Sequence, residues 1–171
     1  MKQPDLTIVP IITQQQIEAV AHLAAQIWRQ HFTPIIGEAQ VRYMLKHFQS
    51  TEAIQQQINF ESVEYFSVQV TDQMIGYMAL IANPVQNKMM LSKLYVSAGV
   101  RGTGVGKALL DHAEQVSHHQ RLKALWLTVN RHNQHPIGWY QRQGFCIVDE
   151  QQKDIGNGFV MDDFIMEKPL F

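Results

Sequence analysis

The residues from Arg101 to Lys107, Arg-Gly-Thr-Gly-Val-Gly-Lys, put a cation at each end of a turn whose alternate positions are glycine. At Gly102, Gly104 and Gly106 the backbone can approach a ligand with no Cβ in the way. Val105, Ala108, Leu109, Ala113 and Val116 then recur at helical spacing, so a helix starts at once and the N–H groups of its first turn face back into the loop. This is an anion site, read here as a cradle for a cofactor phosphate. It is not a Walker A loop, which needs glycine, four residues, then Gly-Lys-Ser/Thr: Arg101 stands at the first position and Ala108 at the last. It also departs from the dinucleotide fingerprint, because Lys107 stands where the third glycine belongs.

Other reactive side chains carry weaker signals. His118-His119 and His132-x-x-His135 have suggestive spacing, but neither pair has a thiolate or carboxylate beside it to complete a tetrahedral site, so no metal is expected. The single cysteine, Cys146, cannot form an internal disulfide, which favours a reducing, cytoplasmic setting, and it is read as a packed strand residue.

The elements that would position the cradle follow from pattern. Leu6 to Ile12 is a short strand, and Thr13 with Gln16 forms a capping box that opens a helix ending near Thr33-Pro34. Glu38 to Phe48 and Thr51 to Ile58 read as two further helices, the second capped by Ser50. Val63 to Val70 and Met74 to Ile81 form a hairpin about Thr71-Asp72-Gln73. A central strand, Met89 to Val96, leads through the cradle and its helix to the strand Leu122 to Val129, and strand, helix, strand predicts a parallel pair. A helix from Asn133 to Arg142 precedes two last strands, Phe145 to Asp149 and Phe159 to Glu167.

With 171 residues, 46% of them hydrophobic, and no repeat or linker, the chain reads as a single domain over 1–171 with one core. The N-terminal apolar run is broken by Pro10, and no window approaches ~18 apolar residues, so neither a signal peptide nor a membrane partner is expected. A net charge of −1 gives no general attraction to nucleic acid.

Arg101-Gly102-Thr103-Gly104-Val105-Gly106 resembles the acyl-CoA loop of the GNAT superfamily of N-acetyltransferases. The segment Asn133-Gln134-His135-Pro136-Ile137-Gly138-Trp139-Tyr140-Gln141-Arg142-Gln143-Gly144-Phe145 resembles that superfamily's Asn-x-x-Ala-x-x-aromatic-Tyr-x-Lys-x-Gly-Phe. Pro136 replaces the usual Ala, harmlessly in a first turn, and Arg142 keeps the charge of the usual Lys. The C-terminal run from Gly156 to Lys168 is similar to that of bacterial polyamine-acetyltransferase-like members.

The resemblance implies an α/β (α+β) fold: a mixed, mostly antiparallel sheet of about six or seven strands, with a splayed central parallel pair and flanking helices. It implies acetyl-CoA as co-substrate, with its arm on the backbone of Leu94, Tyr95 and Val96, its pyrophosphate on Arg101, Gly102, Thr103, Gly104, Val105, Gly106 and Lys107, and further contacts from Asn133 and Arg142. Tyr140 stands where such enzymes commonly place the acid that protonates the leaving thiolate. The residues Met89 to Lys93 supply no carboxylate where many relatives carry a glutamate base, and Glu64, Asp72 or Ser92 through a water remain open as contributors.

The acceptor would lie between Trp28, His31 and Phe32 on one side and Phe159 to Phe164 on the other. Within the latter, Asp162-Asp163 reads either as a receiver of a cationic amine or as ordinary strand-edge charge. The expected activity is acetyl transfer to a small, polyamine-like primary amine through a ternary complex. A peptide or protein amine, or a catalytically silent acyl-CoA-binding module, are the alternatives, and a homodimer is compatible with all three.

Overall fold

A computed structural model describes residues 5–170. The elements run β1 (Thr7–Pro10), α1 (Gln14–Ile36), α2 (Glu38–Phe48), α3 (Thr51–Phe60), β2 (Val63–Val70), β3 (Gln73–Asn83), β4 (Lys88–Val96), a 3-10 turn at Ala98–Val100, α4 (Val105–His119), β5 (Ala124–Asn130), α5 (Gln134–Arg142), β6 (Cys146–Gly156) and β7 (Phe159–Pro169). The strands form one sheet in the order β1-β2-β3-β4-β5-β7-β6; the pairs β1–β2, β2–β3, β5–β7 and β6–β7 are antiparallel and the pair β4–β5 is parallel. This is the mixed, mostly antiparallel sheet with a parallel pair that the sequence predicts. The parallel ladder covers Lys88↔Ala124, Met89↔Leu125 and Met90↔Trp126.

The chain packs into two compact units, and β4 contributes to both. One unit comprises, among the described residues, 5–81 and 93–113. In it the Thr13 hydroxyl accepts from the Gln16 N–H while the Gln16 side chain accepts from the Thr13 N–H, the reciprocal cap expected. The apolar stripe of α1 buries Ile17, Val20, Leu23, Ala24, Ile27, Trp28 and Phe32. The helix does not stop near Thr33-Pro34: it continues to Ile36, because a proline this close to the end forfeits only one hydrogen bond, and Gly37 at φ 86° then closes it, its N–H donating to the Thr33 carbonyl. The β2–β3 turn is the two-residue loop Thr71-Asp72, with φ 49° and 63°, as a tight hairpin with right-handed twist requires.

The other unit comprises, among the described residues, 82–92 and 114–170, with Met89, Leu125, Leu127, Phe145 and Met166 at its core. Strand β6 runs on to Gly156 instead of ending near Asp149. Its polar stretch Glu150 to Asp154 has no apolar alternation, and pairing with β7, from Glu150↔Phe164 to Asp154↔Val160, holds it extended. The positive φ of Asn157 and Gly158 (52° and 78°) turns the hairpin. Cys146 lies in this strand as expected but is exposed rather than packed, because β6 ends the sheet.

Candidate functional site

The cradle residues take the conformation their glycines permit. Gly102 and Gly104 have φ 77° and 91°, a region that favours glycine, and a Cβ added at either would meet nothing within 4 Å. The space above the turn is therefore open to a ligand. The Thr103 hydroxyl donates to the Val100 carbonyl at 2.5 Å, bracing the loop from below, and the Gly104 carbonyl accepts the first bond of α4 from the Ala108 N–H at 3.0 Å. Arg101 to Gly104 are exposed, as is Lys107, which is ion-paired with Asp111 one helical turn on. Val105 instead faces the core, 3% exposed, so its side chain anchors the helix and only its backbone is available to a phosphate.

Leu94, Tyr95 and Val96 end β4 half-buried in the same unit. The Tyr95 carbonyl lies so close over Gly76 of β3 that a Cβ there would come within 2.9 Å of it. Gly76 thus sets how β4 approaches β3 where the cofactor arm is expected, and the signal in the sequence was only an isolated glycine inside a strand. The Tyr95 ring meets Trp28, Tyr77 and Phe32 at centroid separations of 5.5, 5.5 and 6.0 Å. Trp28 and Phe32 also stack on each other at 4.2 Å and are buried, so both serve the core whatever else they do.

Lys93 is the residue whose setting the sequence reading missed. It continues the row Met89, Leu91, Lys93 on one face of β4 and is 7% exposed. Its ammonium donates to the Phe48 carbonyl at the end of α2 (2.6 Å), to the Tyr65 hydroxyl (2.5 Å) and to Gln57 Oε1 (3.2 Å), while Tyr65 in turn donates to Gln57. Three acceptors match the three protons of the charged form, one of them a helix C-terminal carbonyl that favours a cation. Burial works against them and lowers the Lys93 pKa from 10.5 to about 7, partly resisted by the charge of Glu61. The Tyr65 phenol is pushed up, first by burial and then by Tyr95 and Glu61. A cation in line with two buried apolar side chains was the available signal.

Asn133, Tyr140 and Arg142 lie in the other unit. Asn133 precedes α5 as its N-cap and is 6% exposed; its backbone carbonyl accepts from Ile137. Tyr140, 8% exposed, packs its ring against Trp139 and Phe145, and burial pushes its phenol up, so it keeps its proton at neutral pH. Arg142 is exposed, with its guanidinium lying back toward Gly138. Among the described residues there is no group of three His, Cys, Asp or Glu side chains that could hold a metal ion.

The two adjacent carboxylates of β7 differ sharply. Asp162 is part exposed and accepts from Arg131 Nε at 2.7 Å, and the same guanidinium reaches Glu150 at 3.4 Å and overlies the Phe164 ring. Asp163 is 1% exposed, and neither carboxylate oxygen has a hydrogen-bond partner. Burial, with the neighbouring charge of Asp162, raises its pKa from 3.8 to about 6 against the pull of Arg131.

These features accord with known proteins. Residues 23–145 match the family described as Acetyltransferase (GNAT) family, and the chain belongs to that family. It is 28% identical over 94 residues to the peptidyl-lysine N-acetyltransferase YjaB of Escherichia coli, a match spanning 55% of this chain and 56% of that protein, so the chain covers little more than half of that relative's length. It is 23% identical over 159 residues to the spermidine N(1)-acetyltransferase of Thermoplasma acidophilum, covering 90% of this chain and 91% of the other. The crystal structure of the PaiA N-acetyltransferase from Thermoplasma acidophilum in complex with coenzyme A has the same fold, with TM-score 0.79, 23% identity, and coverage of 96% of this chain and 99% of that one.

Proposed function

We infer that this chain is an acetyl-CoA-dependent N-acetyltransferase acting as a single domain, and that its acceptor is a primary amine of a small, polyamine-like molecule. The observation that carries the reading is the cradle: two positive-φ glycines under open space, flanked by Arg101 and opening α4. A turn of this kind receives a pyrophosphate through backbone N–H groups, and the related PaiA structure contains coenzyme A. The near full-length similarity to a spermidine acetyltransferase supports the small-amine acceptor.

Acetyl-CoA brings an activated thioester; the chain's own residues bind, orient and move protons. Arg101 to Lys107 hold the phosphates, and the backbone of Leu94 to Val96 holds the arm and offers an N–H to the developing oxyanion. Asn133 and Arg142 add contacts to the arm and the phosphorylated end. Tyr140, kept protonated by burial, gives its proton to the departing sulfur. We take the working compartment to be the cytoplasm, where exposed Cys146 stays reduced.

The test is release of free CoA thiol from acetyl-CoA with a panel of amines including spermidine and a lysine peptide. Turnover is expected with the small polyamine at the highest kcat/KM. A preference for the peptide, the substrate class in the name of the E. coli relative, would replace the small-amine acceptor by a protein one. CoA binding with no turnover on any amine would leave a silent acyl-CoA-binding module.

A further inference from the structure

Strands β1 and β6 end the sheet, and they are built differently. Strand β1 has four residues and closes on Pro10, which leaves little for another strand to pair with. Strand β6 has eleven residues, no proline among them, and no strand on its outer side. Its side chains are exposed from Cys146 to Asp154 except at half-buried Gln151, and Val160 of β7 is exposed beside them. An edge of this length pairs with another chain unless something guards it, and the ordinary guards are bulges and lysine. Here the ladder to β7 shifts register between Ile147 and Asp149 and again between Asp154 and Gly156, which leaves residues 149–154 as a regular run. The lysine, Lys153, lies within that run, four residues after Asp149. Among the described residues neither takes part in an ion pair.

We propose that β6 is the interface of a symmetric homodimer, formed by two copies pairing this edge antiparallel about a two-fold axis at Gln151. In such a pair the residue at the axis lies opposite its own copy, and the residues to either side meet in reverse order. An axis at Asp149, Glu150, Lys153 or Asp154 would set that charge against itself, and one at Gln152 would set Glu150 against the partner's Asp154. Like charges directly opposite are destabilising. Gln151 is the position in the run that opposes none. There Asp149 faces the partner's Lys153, Lys153 faces the partner's Asp149, and the two Gln151 amides, each both donor and acceptor, meet at the centre. Gln151 is also the midpoint of Cys146–Gly156, so this register pairs the strand over its whole length. It brings the exposed Ile147 and Val148 beside the partner's Ile155. The lysine that guards the edge against other strands thereby fits a copy of its own.

Sedimentation equilibrium of the full chain should give twice the chain mass of 19.7 kDa. Asp149→Lys or Lys153→Asp alone sets like charges opposite at both pairs and should weaken self-association at least about tenfold, and more so at low salt. An equimolar mixture of the two variants restores both opposite-charge pairs in a heterodimer and should recover the wild-type mass. In a Cys146→Ser background, Gln151→Cys places two thiols opposite each other with Cα atoms about 4.5–5.5 Å apart, within the range a disulfide spans, and mild oxidation should link the chains. The cross-link decides alone if a charge-reversed chain does not fold. Wild-type protein that stays at 19.7 kDa at every concentration overturns the proposal and leaves the edge to a strand of another protein. A dimer that neither charge reversal weakens, or that Gln151→Cys does not cross-link, overturns it as well.

Discussion

Replacing Lys93 with Met removes an ammonium that ties β4 to the end of α2, to α3 and to β2. Hydrogen bonds to charged groups contribute about 1.5–3 kcal/mol each, so the three lost bonds amount to roughly 4–9 kcal/mol gross, with the Phe48 carbonyl left without this donor. Against this stands the cost of burying the charge. The fall from 10.5 to about 7 corresponds to about 5 kcal/mol, a ceiling because the three acceptors favour the charged form. The balance at pH 7 runs from about no change to a loss of about 4 kcal/mol in Lys93→Met.

The pH dependence tests the reasoning more sharply than the loss itself. With a folded pKa below the unfolded one, the unfolded chain binds more protons between pH 7 and 10.5, so stability gained from Lys93 rises with pH across that window. Urea unfolding of wild type and Lys93→Met at pH 7 and pH 9 should give a stability difference that widens by up to about 2 kcal/mol at the higher pH. Parallel curves would refute the claim that desolvation outweighs the three acceptors at this lysine.

Tyr140→Phe removes one hydroxyl and little volume, so kcat should fall ~10²–10⁴-fold with little change in cofactor affinity, and by less at high pH where free thiolate leaves unaided. Full kcat at pH 7, measured where chemistry limits the rate, would take Tyr140 out of the mechanism, and a comparable loss of CoA affinity would make it a binding residue. Gly104→Val places a β-branched side chain at φ 91° in the space a phosphate needs, and should weaken CoA binding at least about tenfold while the protein still folds. Unchanged CoA affinity in calorimetry would remove the cradle from the site.

The local elements were readable because their determinants are local. The Thr13 capping box, the stripe of α1, the alternation of β2 and the glycines of the cradle each depend on residues within a turn or two. Strand–helix–strand connectivity likewise fixed β4 and β5 as a parallel pair. What the sequence left open depends on who lies opposite. Residues 150–154 of β6 are extended because β7 pairs with them, and Cys146 is exposed because β6 has no neighbour on its other side. Lys93 and Asp163 make the same point for charge. Their types are plain in the sequence, but their burial and partners come from elements far along the chain, and tertiary packing alone gave one three acceptors and the other none.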